Sequence, residues 1–453
     1  MSAPDHPPTP WSWRVALALV VAGIMGAAYL VGDQAAPQVR SALGIAGFLA
    51  FALLLSSNVR AVNPRVVIAG FALQLVLAAL VIHAEPVRHF FDWLGKVVTL
   101  FVEFSRSGAG LLFGPLANPG DMEKGFHRKV GIPFAIILTT TVIFVSTVFT
   151  VLYHLRILQV VVWVFAKLMI LVMGRRGVSG AETLSAAANV FMGQTEAPLI
   201  VKPYIALMTR SEILAIMIGG MATIAGGVMA IYIDMGADAR AVLATSVMAA
   251  PCGLYVAKIL VPETGEPRTR GSVTIADERA HANVVDAAAA GASEGMKLAI
   301  NIIAMLLAFL AAIAAINYGL KQIDADITLE AIFAKLFTPV ALLMGVAPAD
   351  VPKVAELLGV KLVANEFLAF QQMTSAYWDP VLKQPVNMEP RSYALATYAL
   401  TGFANIGSIG IQLGGIGALA PERRSDIARL GVTALVGGFL ATLINSSVAG
   451  LLM

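Results

Sequence analysis

Apolar residues run along this chain in long blocks, not in the narrow stripes of a soluble amphipathic helix. Seven blocks are uninterrupted, at residues 13–31, 41–58, 66–83, 130–153, 241–261, 298–318 and 430–452. A helix needs roughly 20 residues to cross a hydrocarbon core of about 30 Å, and these blocks match that length. Two more, 211–234 and 391–419, are long enough but interrupted by glycines. The set predicts about nine transmembrane helices, two of them broken. Stretches 157–200 and 331–385 are apolar only in pieces, divided by polar and turn residues, and predict two re-entrant hairpins. Between 86 and 114, Arg88, Asp92, Lys96, Glu103 and Arg106 stand among aromatics, which predicts an interfacial helix and a loop.

Composition agrees with this pattern. Of 453 residues, 58% are hydrophobic and 13% charged, against about 25% charged in soluble domains, and the mean hydropathy is +0.80. The expected class is an all-α polytopic membrane protein. A net charge of +3 gives no reason to expect a nucleic-acid partner. The distribution of charge says more. Arg60 and Arg65, then Arg156, Lys167, Arg175 and Arg176, then Arg268, Arg270 and Arg279, and finally Arg423, Arg424 and Arg429 all fall on one side if the chain starts in the cytoplasm. Nine crossings then leave the C-terminus outside, while Arg128 and Lys129 fall on the outer side, against the rule. Arg14 before the first apolar run and the AAP at 35–37 would also fit a cleaved signal peptide, but the run is long for one.

Polar chemistry is confined to two matching patches. Residues 189–200 read NVFMGQTEAPLI, and GMATI follows at 220–224; VANEFLAF begins at Val363, and GFANI follows at 402–406. Each copy sets a carboxylate beside a polar neighbour, then breaks a helix, which is the pattern of an internally duplicated secondary transporter. A carboxylate at bilayer depth costs about 2.5–3.5 kcal/mol, so Glu196 and Glu366 require a reason beyond packing. Unwound backbone carries a similar cost, which a polar cavity can meet. Convergence of the hairpin tips and helix breaks would assemble Gln194, Thr195, Glu196, Thr223, Glu366, Asn405 and Ser408, with Phe403 as an aromatic wall. That set offers amides to a planar heterocycle and carboxylates to vicinal hydroxyls.

The motifs GQTEAPL, GGMATIAGG, ANVVDAAAAGASEGMKLA, VANEF, GFANIGSI and LGGIGALAPERRSDIARLG resemble, in order and spacing, the concentrative nucleoside transporter family. The resemblance runs from about residue 41 to the C-terminus and leaves the helix at 13–31 as an addition. It implies a homotrimeric, sodium-driven nucleoside importer of the cell inner membrane, in which a transport domain moves past a scaffold with elevator-like alternating access. The implied divisions are an N-terminal tail and extra helix (1–36), scaffold and interfacial helices (37–130), a first repeat (131–262), a linker, amphipathic helix and scaffold helix (263–330), and an inverted second repeat (331–453). Carried over by motif, Gln194, Thr195 and Glu196 face the nucleobase, Glu366, Asn405 and Ser408 the ribose, and Phe403 and Val228 the apolar surfaces. Asn189 and Thr223 supply side-chain oxygens to Na+, with carbonyls from Met192 and Ile224. A family member that this sequence resembles in the Thr223 region would have Ser there, a mild departure because both carry a hydroxyl. Proton-coupled relatives lose part of this oxygen set.

Plainer readings exist for each residue. Asn189 can cap a hairpin helix, Thr223 can bond its own helix backbone, Ser408 can be a packing contact, and Gln194 and Thr195 can serve the hairpin tip. Phe403 and Val228 can be core or lipid-facing. Lys202 and Arg210 read as anchors that snorkel to headgroups. Two other functions compete: an intramembrane enzyme using the paired carboxylates, and a passive channel. The six histidines form no His-Glu-x-x-His pair, Cys252 is alone, and GASEGMKLA lacks the spacing of a phosphate loop, so neither metal chemistry nor nucleotide binding is supported. Polarity limited to two patches also argues against a continuous channel.

Overall fold

A computed structural model describes residues 9–31, 36–117, 134–174, 177–271, 281–324, 326–374 and 388–453. Arg128, Lys129, Arg175, Arg176, Arg279 and the end of the second expected hairpin at 375–385 lie outside them. Among the described residues the regular secondary structure is helical, apart from an isolated β-bridge between Ser179 and Arg270. In chain order the helices are α1 (Trp11–Val31), α2 (Pro37–Leu54), α3 (Pro64–His83), α4 (Glu85–Phe113), α5 (Phe134–His154), α6 (Ile157–Met173), α7 (Gly180–Ala188), α8 (Lys202–Ile205) and α9 (Arg210–Ala222). They continue as α10 (Gly226–Asp234), α11 (Ala239–Leu260), α12 (Val284–Lys321), α13 (Leu329–Leu343), α14 (Val351–Val363), α15 (Glu366–Thr374), α16 (Pro390–Leu400), α17 (Ile406–Leu419) and α18 (Arg424–Leu452).

Eight stretches among the described residues are long and apolar enough to cross a membrane, where the sequence predicts about nine. Seven coincide with expected spans: α1, α2, α3, α5, the broken pair α9–α10, α11 and α18. The expected 298–318 lies inside α12, and 391–419 divides into α16 and α17, neither long enough alone. The eighth stretch corrects one part of the expectation for 86–114: the helix is there, but no loop divides it, and α4 runs unbroken from Glu85 to Phe113. Its charged residues recur at three-, four- and seven-residue intervals, so they share one helix face and do not interrupt the helix. Two of them pin that face to the first repeat: Asp92 holds Arg240 through three hydrogen bonds of 2.8–3.0 Å, and Arg106 Nη2 reaches Asp234 Oδ1 at 2.7 Å.

Both hairpin expectations were too wide. Within 157–200, Gly174 at φ 86° ends α6 as a separate apolar helix, and the hairpin begins only at α7, whose N-cap Ser179 forms a capping box with Glu182. Its return arm is a 3₁₀ turn, Ala197–Val201, leading into α8. Within 331–385, α13 is likewise separate, ending before Gly345 (φ 85°), and the hairpin turn proper lies between α14 and α15. A buried ion pair anchors the first hairpin, with Lys258 Nζ 2.8 Å from Glu182 Oε2 and 3.2 Å from Glu263 Oε2.

Three of the four basic groups, those at Arg60 and Arg65, at Arg268 and Arg270, and at Arg423 and Arg424, share a face. Ser57 N donates to Leu260 O at 2.8 Å, Arg423 Nη1 donates to Ala206 O at 3.1 Å, Thr209 Oγ1 donates to Glu263 Oε2 at 2.8 Å, and Ser179 bridges Arg270. These contacts gather the α2–α3, α8–α9, α11–α12 and α17–α18 connections at one end of the bundle. The span windows of α9–α10 and of α11 are 94% buried and form the core, whereas only 6% of the α1 window is buried, so the extra helix is peripheral.

Candidate functional site

Both broken helices and both hairpin turns meet around one cavity. In the first break α9 stops at Ala222, Thr223 (φ −124°, ψ 172°) and Ala225 (φ −68°, ψ 146°) are extended, and α10 restarts at Gly226. In the second, α16 stops at Leu400, Gly402 takes φ 150°, and Asn405 caps α17 by accepting from Ser408 N at 2.9 Å. The cavity, about 100 Å³, is lined by all eight residues expected to touch substrate: Gln194, Thr195, Glu196, Val228, Glu366, Phe403, Asn405 and Ser408. Sequence distances of up to 214 residues are closed here, as between Gln194 and Ser408.

Polar geometry within the cavity is specific. Glu366 is held on both oxygens, Oε1 accepting from Tyr232 OH and Oε2 from Asn405 Nδ2, each at 2.9 Å. A carboxylate has about four acceptor positions, so two remain for a ligand. Gln194 Nε2 donates to Ser408 Oγ at 3.1 Å, crossing from the first hairpin to α17, while Gln194 Oε1 is buried with no protein partner. An unpaired buried carbonyl costs about 1–3 kcal/mol, and a ligand donor would remove that cost. Glu196 Oε2 accepts from Gly193 N at 3.0 Å, stiffening the hairpin turn. Thr195 packs on α17, where a Cβ added at Gly415 would lie 2.4 Å from its Cγ2.

Residues expected around sodium lie just behind the hairpin tip. Asn189 is fully buried at the end of α7, and neither its Oδ1 nor its Nδ2 has a partner, so its side chain is not a helix cap. It packs on α9, where a Cβ added at Gly219 would lie 3.1 Å from Nδ2. Thr223 Oγ1 donates to Gly219 O at 2.9 Å, the backbone bond anticipated as its plainer role, and this leaves the oxygen lone pairs free. Ile224 is buried in the break, and Met192 sits half-buried at the tip. An orphaned carboxamide oxygen beside a free hydroxyl lone pair suits a hard cation.

A second cavity, about 370 Å³, shares Glu196, Ala225 and Leu298 with the first and extends to Tyr153, Lys202, His281 and Glu294. Small-molecule sites typically occupy about 300–1,000 Å³. The first cavity is below that range and the two together fall within it. Sequence reasoning missed Tyr232, although it lies four residues after Val228 on the same helix face, and left Asn365 and Phe367 out of the cavity they line.

Models of three families match successive parts of the chain: Na+ dependent nucleoside transporter N-terminus at residues 43–116, Nucleoside recognition at 135–239, and Na+ dependent nucleoside transporter C-terminus at 241–450. An uncharacterized transporter of Haemophilus influenzae is 40% identical over 417 residues, covering 91% of this chain and 97% of that protein. Sodium/nucleoside cotransporter 1 of Mus musculus is 40% identical over 437 residues, covering 92% of this chain and 64% of its own length. Among solved structures, CNTnw in an inward-facing substrate-bound state matches with a TM-score of 0.84 at 39% identity, covering 91% of this chain and 97% of that one. A CNTnw variant in an outward-facing state matches with a TM-score of 0.85 at 38% identity, covering 92% and 98%.

Proposed function

The chain belongs to the concentrative nucleoside transporter family, and we propose that it is a sodium-driven symporter that imports nucleosides across the cell inner membrane as a homotrimer. Its family is one of transporters, not enzymes. The observation that carries the reading is the placement of Glu366: a buried carboxylate fixed by Tyr232 and Asn405 at the wall of a cavity with an aromatic face and the unpartnered carboxamide oxygen of Gln194 nearby. Glu366, Asn405 and Ser408 bind the ribose hydroxyls. Gln194, Thr195 and Glu196 read the base, and Phe403 and Val228 cover the apolar faces.

Sodium enters as co-substrate at Asn189 and Thr223, with carbonyls from Met192 and Ile224. It braces the hairpin whose next residues touch the base, so ion and nucleoside bind with mutual reinforcement. Repeats 131–262 and 331–453 form the moving transport domain, and 37–130 with 263–330 form the scaffold. The larger cavity, which reaches Lys202 and His281, is the cytoplasmic route of an inward-facing state. The test is uptake of a nucleoside panel into liposomes with the sodium and proton gradients varied separately. Accumulation driven by sodium alone is expected. Accumulation driven only by protons would move coupling to Glu196 or Glu366, mere equilibration would indicate a channel, and no nucleoside movement would remove the reading.

A further inference from the structure

Gln412 is fully buried on α17, four residues after Ser408 on the same helix stripe, and it lines neither cavity. Its Nε2 donates to Met217 O at 2.9 Å, which joins the second repeat to α9 shortly before the first helix break. The accepting carbonyl fixes which end of the carboxamide faces α9, and Oε1 is left without a partner among the described residues. An unpaired buried acceptor is costly, whereas an unbranched apolar side chain such as Met would fill the same space without that cost. Gln412 therefore needs a reason beyond packing.

Gly220 supplies one. A Cβ added there would lie 2.7 Å from Gln194 Cβ and 3.1 Å from Gln412 Nε2, so the two side chains meet α9 at one point, one from hairpin 1 and the other from α17. The bare glycine lets Gln194 stand directly on the α9 backbone. Gln412 holds that backbone at Met217, and Gln194 in turn reaches Ser408, one turn from Gln412 along α17. Hairpin tip, half-helix and α17 thus close into a ring of contacts around Gly220.

The second helix break is held at the same place. With 402–406 set beside 220–224, Ala399 corresponds to Met217, and Ala399 O accepts from the buried Lys361 Nζ at 2.7 Å. Each half-helix therefore receives a buried side-chain donor at the equivalent carbonyl. In the second repeat the donor comes from that repeat's own hairpin arm, α14; in the first it crosses from the other repeat.

We propose that Gln412 is a positioning residue for base recognition: by tying α9 to α17 it keeps Gly220 as a fixed seat for Gln194, whose carboxamide then meets the base in one pose. The proposal rests on the reading, given above, that Gln194 contacts the base. Since Gln412 lines neither cavity, its effect runs through Gln194.

The experiment measures uridine affinity by calorimetry at saturating sodium, uptake kinetics in liposomes and thermal midpoint in detergent, for wild type, Gln412→Met, Gln412→Leu, Gln194→Ala and the double variant Gln194→Ala/Gln412→Met. Gln412→Met is expected to weaken uridine binding about 5-fold, the typical worth of one net hydrogen bond, with a thermal midpoint equal to or above that of wild type. KM for uptake should rise by the same factor while the maximal rate holds. In the Gln194→Ala background the same substitution should change affinity less than about 2-fold, because residues that act through one another are not additive. A larger loss in that background would overturn the proposal, as would wild-type affinity in Gln412→Met or a loss of affinity that accompanies a lowered midpoint. Gln412→Leu makes the same comparison if Gln412→Met does not fold, and failure of both to fold would make the residue a structural support and overturn the proposal equally. Failure of the underlying reading looks different: Gln194→Ala would then bind uridine as wild type does.

Discussion

Phe403 N–H donates to Thr223 O at 3.1 Å, so the helix break of one repeat is hydrogen-bonded directly to the helix break of the other. The bond couples the expected sodium side of the cavity, where Thr223 sits, to the aromatic wall at Phe403. It also uses a carbonyl that the unwound backbone would otherwise leave unpaired at bilayer depth. Gln412 repeats the theme from α17, donating Nε2 to Met217 O at 2.9 Å.

Gly402 makes that crossing geometrically feasible. Its φ of 150° lies where side chains are rarely tolerated, and an added Cβ would stand 2.7 Å from Thr442 Cγ2 and 3.0–3.1 Å from the carbonyls of Met221 and Ala222. Gly402→Ala is therefore expected to destabilise the protein by about 1–3 kcal/mol. Gly410→Ala, with open space around its Cβ, should be close to neutral. Thermal unfolding in detergent compares the two, and equal midpoints would contradict the role given to Gly402.

Glu366→Gln keeps hydrogen bonding but removes charge-assisted acceptance, so uridine affinity should fall by about 1.5–3 kcal/mol, roughly 10- to 150-fold. Tyr232→Phe removes one donor that orients the carboxylate and should cost less, about 0.5–1.5 kcal/mol. Isothermal calorimetry at saturating sodium distinguishes them. Glu366→Gln with wild-type affinity would take this carboxylate out of the sugar site.

Much of this site can be read from the chain because its costs are visible there. Two glutamates in apolar surroundings, and glycine-rich interruptions repeated after each, have few explanations in a membrane protein. The long-range partners cannot be read that way. Tyr232 looks like any aromatic on an apolar helix until α15 brings Glu366 against it, and Lys361 looks like an interfacial anchor until α16 and α18 enclose it. Charges along α4 suggested an interrupted segment because their signs and not their spacing drew attention; the spacing places them on one face, where Arg240 and Asp234 answer them. Hairpin limits failed for a local reason. Gly174 and Gly345 supply helix stops that divide each apolar stretch, and composition alone does not rank one glycine as a stop above another.

Gln194→Ala removes both the donor to Ser408 and the free Oε1. Intact nucleosides should bind about 5- to 30-fold more weakly, the equivalent of one or two hydrogen bonds, with sodium affinity in the absence of nucleoside unchanged. Radioactive sodium binding without substrate provides that second measurement. An equal loss of both affinities would place Gln194 in the ion site, not the base site.

Thr223 offers the sharpest test of coupling because its hydroxyl is already engaged as a donor to Gly219 O and is available to a cation only through its lone pairs. Thr223→Ser keeps that geometry and should leave transport nearly unchanged. Thr223→Ala removes the oxygen, so half-saturating sodium should rise, uptake at low sodium should fall, and high sodium should restore much of it. If sodium braces hairpin 1, nucleoside affinity must rise with sodium, and sodium affinity with nucleoside by the same factor, which linkage requires of any two coupled sites. Both factors should shrink together in Thr223→Ala. Nucleoside affinity is to be measured for wild type and both variants across a sodium series, with choline holding ionic strength constant. A wild-type affinity flat in sodium but increasing as external pH falls would contradict the sodium site and assign coupling to a protonated carboxylate.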